Sequence, residues 1–183
     1  MNLLGLKLLV FLWQALLILP LSFQKMIGKL IGLILKLSNL KRIRYGKINI
    51  ENCLKGHDTK KIFNRNLKNF GYAIFETGFA WFWSDKKINK NINYEINGLD
   101  KLLDEQNKKQ GVLLLFKHSL HLELDVRLLG INAEIYGVER KHDSINFNKI
   151  QEKGRTRSVK EVANKKDTLK FLKWLNSGKT VLY

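Results

Sequence analysis

The first fifty residues contain no aspartate or glutamate, and they are dominated by long aliphatic runs. Leu3 to Phe23 is apolar, its clear interruptions being Lys7, Gln14 and Pro20, and Leu8 to Leu19 carries no charge. A helix needs about 20 mostly apolar residues to cross a bilayer, so this stretch is just long enough to predict a membrane-anchoring helix over residues 1–23. A secretory signal fits less well. No small-residue cleavage site follows Leu19, and a second apolar run continues from Met26 to Leu37. That run is amphipathic, with Lys25, Lys29 and Lys36 set among Ile27, Leu30, Ile31, Leu33, Ile34 and Leu37, the pattern of a helix lying at a membrane interface. Seven cations fall between Lys25 and Lys47 (Lys25, Lys29, Lys36, Lys41, Arg42, Arg44, Lys47) before the first acid, Glu51. They predict a basic interfacial segment over 24–50 and a cytoplasmic location for the chain beyond it.

The basic excess extends along the whole chain: 33 Lys+Arg against 16 Asp+Glu give +17 over 183 residues. Such a field favours a polyanionic partner, whether nucleic acid, an acidic membrane or an acidic carrier protein. No helix-turn-helix, RNA-binding sheet motif or zinc pattern supports nucleic acid. Cys53 is the sole cysteine, so no internal disulfide forms, which fits a reducing compartment.

Beyond residue 50 the periodicity reads as α/β. Phe63, Leu67, Phe70 and Ile74 predict a helix over Lys60–Trp83. Its end, Phe79-Ala80-Trp81-Phe82-Trp83, fits core packing, a membrane-interface belt or the wall of an acyl-chain groove. Leu99–Asn107 reads as a short helix and the continuous apolar run Gly111–Phe116 as a buried strand. Helices are expected over Leu120–Leu129, Ile145–Lys153 and Lys165–Asn176, the last stopped by Gly178, with strands over Glu134–Val138 and Thr180–Tyr183. Strands alternating with helices define the class. No repeat or flexible linker divides the chain, and it stops inside its last predicted strand, so residues 51–183 are expected to be the N-terminal part of a larger domain.

His118 directly follows the Gly111–Phe116 strand, at the kind of position where α/β folds place ligands and catalysts. Glu123 lies five residues later and can meet it only across a turn. A carboxylate accepting from one imidazole nitrogen leaves the other basic and able to take a proton from a hydroxyl. Two other readings compete: a structural histidine satisfied by its neighbours, and the i, i+4 pair His121–Asp125. A metal site is not expected, because no cysteine joins His118 and His121 and the His-Glu-x-x-His order is absent.

Four segments in order resemble the lauroyl/myristoyl acyltransferases of lipid A assembly, a lysophospholipid acyltransferase-like family. They are Asn69-Phe-Gly-Tyr-Ala-Ile-Phe-Glu-Thr-Gly-Phe-Ala-Trp-Phe-Trp83; Gly111-Val-Leu-Leu-Leu-Phe-Lys-His118-Ser-Leu-His-Leu-Glu123-Leu, which holds the family's His-x4-acid motif; Gly137-Val-Glu-Arg140; and Gly154-Arg-Thr-Arg-Ser158. With the anchor before them, the likeness spans nearly the whole chain. It implies a glycerolipid acyltransferase-like α/β domain on the cytoplasmic face of the bacterial inner membrane. The implied reaction moves a fatty acyl group from acyl carrier protein to a hydroxyl of a phosphorylated lipid A precursor, with no cofactor and no acyl-enzyme. His118 is then the general base and Glu123 its orienting partner. Arg155, Arg157 and Arg140 are implied near phosphate or developing charge, the competing reading of all three being a solvated basic face. Two positions depart from the family: Glu139 stands where tyrosine is usual and Lys141 where proline often follows. Thr180-Val-Leu-Tyr183 resembles the strand before the family's Ala-Pro-Asp-x-Asp segment, so the resemblance implies a C-terminally incomplete catalytic domain. The alternative function is a non-catalytic membrane-bound module that binds anionic lipid or acyl carrier protein.

Overall fold

The computed structural model describes residues 3–140 and 144–183. Its first helix, α1 (Leu3–Leu16), is 14 residues long, about 21 Å at helical rise. Residues 17–20 form a turn, and α2 runs from Leu21 to Leu37. Pro20 explains the break: it disfavours helical backbone at Leu19 and cannot donate an N–H. The carbonyls freed at the end of α1 are taken by the fully buried Gln24, whose amide donates to Leu17 O at 3.3 Å and Leu19 O at 2.6 Å. The anchoring helix expected over 1–23 is therefore two helices with an elbow. Among the described residues no helix is long and apolar enough to cross a membrane.

Two helices complete this half of the molecule: α3 (Lys41–Cys53), which buries none of its side chains, and α4 (Thr59–Phe82). Asp58 caps α4 by accepting from Lys61 N, which satisfies one of the orphan amides of its first turn. α2 and α4 meet backbone to backbone. A Cβ on Gly71 would lie 2.0 Å from Gly28 O, and one on Gly32 would lie 2.6 Å from Leu67 O, so neither position admits a side chain. Leu17, Phe75, Phe79 and Trp83 form the core of this layer together with Ile88 of α5 (Asp85–Asn91) and Leu124 and Leu128 of α7 (Leu122–Asn132).

The remaining elements build a four-stranded parallel sheet in the order β1-β4-β2-β3. They are α6 (Leu99–Asn107), β1 (Val112–Leu114), α7, β2 (Tyr136–Glu139), α8 (Ile145–Arg155), β3 (Val162–Asn164), α9 (Thr168–Asn176) and β4 (Thr180–Leu182). β4 enters last, between β1 and β2, pairing Val181 with Leu113 on one side and with Tyr136 on the other. Gly178, at φ 75°, ends α9 in a left-handed cap whose amide bonds to Leu175 O, while Lys179 N bonds to Trp174 O. Trp174 of α9 packs on Tyr136, Ala163 and Val181.

The α/β class holds. The first strand differs from expectation: β1 is an edge, with Leu113 49% and Leu115 76% exposed, whereas β4 is buried throughout. A continuous apolar run does not separate a central strand from an edge. The aromatic run at the end of α4 is core packing. Phe79, Trp81 and Trp83 are all buried, and Phe79 stacks on Trp83 with ring centroids 4.1 Å apart.

Candidate active site

A cavity of about 370 Å3 opens at the carboxyl ends of β1, β2 and β4, the location that a parallel sheet offers to ligands. Phe116, Leu122, Val126, Val138, Val159, Val162 and Leu182 give it an apolar lining, and His118, Glu123, Glu139, Arg140, Gln151 and Arg155 give it a polar side.

The polar side is built around Arg155, at the end of α8. Its Nε donates to Glu123 Oε1 at 3.0 Å and Oε2 at 3.3 Å, one terminal nitrogen to Glu123 Oε1 at 2.5 Å, and the other to Glu139 Oε2 at 2.5 Å. With the Gln151 amide turned so that its oxygen faces the guanidinium, it accepts from both terminal nitrogens at 2.7 Å. Burial alone would lower the Arg155 pKa, but the bonds and charges of Glu123 and Glu139 outweigh it and raise it. Two carboxylates and one guanidinium thus sit half-buried together with a net charge of −1.

Glu123 is in the first turn of α7, where the helix dipole favours an acid. It is held from a second side by Trp81 of α4, whose indole N–H donates to Glu123 Oε2 at 2.8 Å. Gly154 lies under the Trp81 ring, where a Cβ would come within 2.4 Å of it. Glu123 therefore bonds to Trp81 and Arg155, while His118, exposed at the cavity mouth, lines the same space. Because Arg155 Nε is shared between both oxygens, Oε2 keeps acceptor capacity beyond its bond from Trp81.

A family model described as bacterial lipid A biosynthesis acyltransferase matches residues 3–183. The chain belongs to this family. A lipid A biosynthesis acyltransferase of Haemophilus influenzae is 35% identical over 181 residues, 95% of this chain and 56% of that protein. A lipid A biosynthesis lauroyltransferase of Escherichia coli is 34% identical over 138 residues, covering 74% and 44%. A lipid A biosynthesis palmitoleoyltransferase of the same organism is 28% identical over 160 residues, covering 86% and 52%. The chain spans about half the length of the relatives it matches.

Within this acyltransferase family chain, the structure brings His118, Glu123, Arg155 and Arg140 to one cavity and places Arg157 elsewhere. The Arg157 side chain donates to Trp83 O at 3.0 Å and Phe82 O at 3.4 Å, closing the last carbonyls of α4. Arg155 faces protein carboxylates. Three residues of the Gly154-Arg-Thr-Arg segment thus serve the site in different ways. Gly154 leaves room for Trp81, Arg155 grips Glu123, and Arg157 ties the segment to α4. Lys141 lies outside the described residues.

Sequence reasoning did not find the partners of Glu123, nor a second histidine–carboxylate contact. His121 Nδ1 lies 2.5 Å from Glu76 Oε2 on α4, so the rival His121–Asp125 pairing weighed from the sequence has a competitor in Glu76. Burial raises the Glu76 pKa, opposed by His121, and burial likewise raises that of Asp125. Ser119 Oγ reaches Asp125 Oδ2 at 3.5 Å. Among the described residues no cluster could hold a metal ion.

Proposed function

We propose that this chain carries the acyl-transfer site of a lipid A biosynthesis acyltransferase. It moves a fatty acyl group from acyl carrier protein to a hydroxyl of a phosphorylated lipid A precursor. The observation that carries this reading is the convergence of His118 and Glu123 on one cavity whose lining is apolar below and ionic at one side. An acyl chain suits the valine and leucine lining, and the thioester carbonyl then lies at the polar side, beside His118.

His118 takes the proton of the acceptor hydroxyl as the oxygen attacks the thioester carbon. The C–S bond breaks as the ester C–O bond forms, and the thiolate leaves with a proton returned from His118. General-base help of this kind is worth about 10²–10⁴ in rate. Glu123 accepts from the other imidazole nitrogen through the free capacity of Oε2, which fixes the tautomer. Arg155 and Trp81 act through Glu123, holding its carboxylate in place. Arg140, on the cavity rim, is the cation assigned to the acceptor phosphate or to developing charge.

The reading includes a membrane location, the cytoplasmic face of the bacterial inner membrane, with membrane lipids as partners. Its support is the outer surface of α1, α2 and the turn between them. Leu4 is 77% exposed, Ile18 80%, Ile34 58% and Leu37 78%, and Lys25, Lys29 and Lys36 lie on the same helix as the last two. An apolar surface of this size marks a membrane or protein contact, and lysines beside it suit an interfacial helix that lies in the membrane plane. Residues 51–183 then form the catalytic part that faces the cytoplasm.

The test is acyl transfer by membranes carrying this chain, with acyl carrier protein donors and a lipid A precursor. Transfer that falls by a factor of about 10²–10⁴ in His118→Ala supports the assignment. Transfer that survives the substitution removes His118 from the mechanism. No transfer by the unaltered chain rejects catalysis by this chain as it stands and leaves a module that binds lipid or carrier protein.

A further inference from the structure

A second cavity, of about 380 Å3, lies at the opposite end of α4 from Trp81, between the C-terminal end of α2, α3 and the first turns of α4. Asn64, on its wall, precedes Trp81 by 17 residues along α4, about 25 Å of helix, so this cleft is separate from the site above. Lys36, Arg44, Lys47 and Lys60 line it, each from an exposed position, with Ser38, Asn39, Thr59 and Asn64 as further polar groups. Glu51 is the single acid of the lining, and it lies 3.7 Å from Lys47. Among the described residues, Lys36, Arg44 and Lys60 have no acidic partner within ion-pair distance. Arg44 lies over the Tyr45 ring at 5.9 Å, but among the described residues no carboxylate neutralises the three cations that converge on this hollow.

The surroundings decide between anions. Leu40 is on the wall of the cleft and is 54% exposed; Leu33 and Leu37, on the last turns of α2, are 51% and 78% exposed. An acidic protein or a free phosphate makes no use of that aliphatic border. A phospholipid does: its phosphate enters the basic hollow while its acyl chains lie along the outer face of α2. We propose that this cleft binds the phosphate headgroup of an anionic phospholipid and so fixes how the chain sits on the bilayer. The inference rests on the membrane location proposed above and adds a headgroup site to it.

The full chain is assayed by flotation with phosphatidylcholine vesicles, with and without phosphatidylglycerol. Each cation near an anionic surface contributes about fivefold in affinity. Arg44→Ser/Lys60→Ser therefore loses about twenty-fivefold for the anionic vesicles and nothing for the neutral ones. Lys165→Ser/Lys166→Ser removes the same charge from the turn after β3 and changes binding less than about twofold, because those lysines are on the sheet half. Arg44→Lys/Lys60→Arg keeps the charge and keeps the affinity. Equal losses in the two serine pairs overturn the cleft, as does unaltered chain binding both vesicle types alike, which leaves the membrane location standing. Binding to neither vesicle type overturns both. Displacement of the chain from vesicles by inorganic phosphate at the lipid-phosphate concentration assigns the hollow to a free anion instead. A serine pair that impairs use of a carrier-protein donor in neutral detergent but not flotation assigns it to an acidic protein.

Discussion

Two histidines stand three residues apart on the segment between β1 and α7, and their surroundings differ sharply. His121 has a carboxylate partner, Glu76, at 2.5 Å on the long helix α4. His118 stands at the cavity mouth, and the carboxylate expected to orient it is held by Trp81 and Arg155 instead. The better-formed histidine–carboxylate contact is therefore the one outside the cavity. Geometry of a pair, taken alone, points to His121. Access to a space where a substrate fits points to His118. An exposed imidazole is left open at the cavity, while its neighbour ties the segment to α4.

The contrast is tested most strongly by alanine at each position. His118→Ala is expected to lower transfer by about 10²–10⁴ with little change in the thermal midpoint, whereas His121→Ala lowers transfer less than about tenfold and lowers the midpoint. Reversed magnitudes would move the general base to His121 and dissolve the comparison. Next is Arg155→Met, which leaves Glu123 and Glu139 half-buried without their shared cation. Breaking a fully buried pair costs about 3–5 kcal/mol. With Arg155 24% exposed, the expected loss is about 2 kcal/mol in urea unfolding. Glu139→Gln in the same background should recover part of it, and no recovery would show that the two carboxylates do not repel.

Trp81→Phe keeps a ring over Gly154 and removes only the donor to Glu123. A hydrogen bond to a charged group is worth about 1.5–3 kcal/mol, so stability falls by about that much and transfer by about tenfold. An unchanged kcat would show that Glu123 needs Arg155 alone. The smallest effect concerns Glu76. Burial raises its pKa above the ordinary 4.5, so the folded chain holds that proton more tightly than the unfolded one. The stabilisation is complete below pH 4.5 and is lost as pH rises through the raised folded value. Relative to Glu76→Gln, the unaltered chain should lose stability across that window. Parallel curves would mean that burial does not govern this carboxyl.

The sequence predicted the helix Leu99–Asn107 to the residue, and α4 to within one residue at each end, because an amphipathic period and a capping Asp58 act locally. It did not show β3, whose three residues Val162–Asn164 are too few to show alternation, nor α3, whose lack of a buried face removes the period. The break at Pro20 was visible as a proline, but the continuous hydrophobicity around it outweighed that signal. At the site, the nearness of His118 and Glu123 was legible because strand end and turn are neighbours in the chain, whereas their roles came only from the family resemblance. Trp81 and Arg155 reach Glu123 across 42 and 32 residues, and only the packing of α4 and α8 on α7 brings them there.

The glycine contact between α2 and α4 has a mechanical consequence. Where two helices touch through main chain, no side chains lie between them to flex, so the pair tilts and travels as one stiff lever. α4 carries Glu76 and Trp81 at the far end of that lever. Under the membrane location proposed above, the depth at which α2 settles in a lipid surface would set the height of the cavity mouth above it, as a hull sets the waterline of everything bolted to its frame.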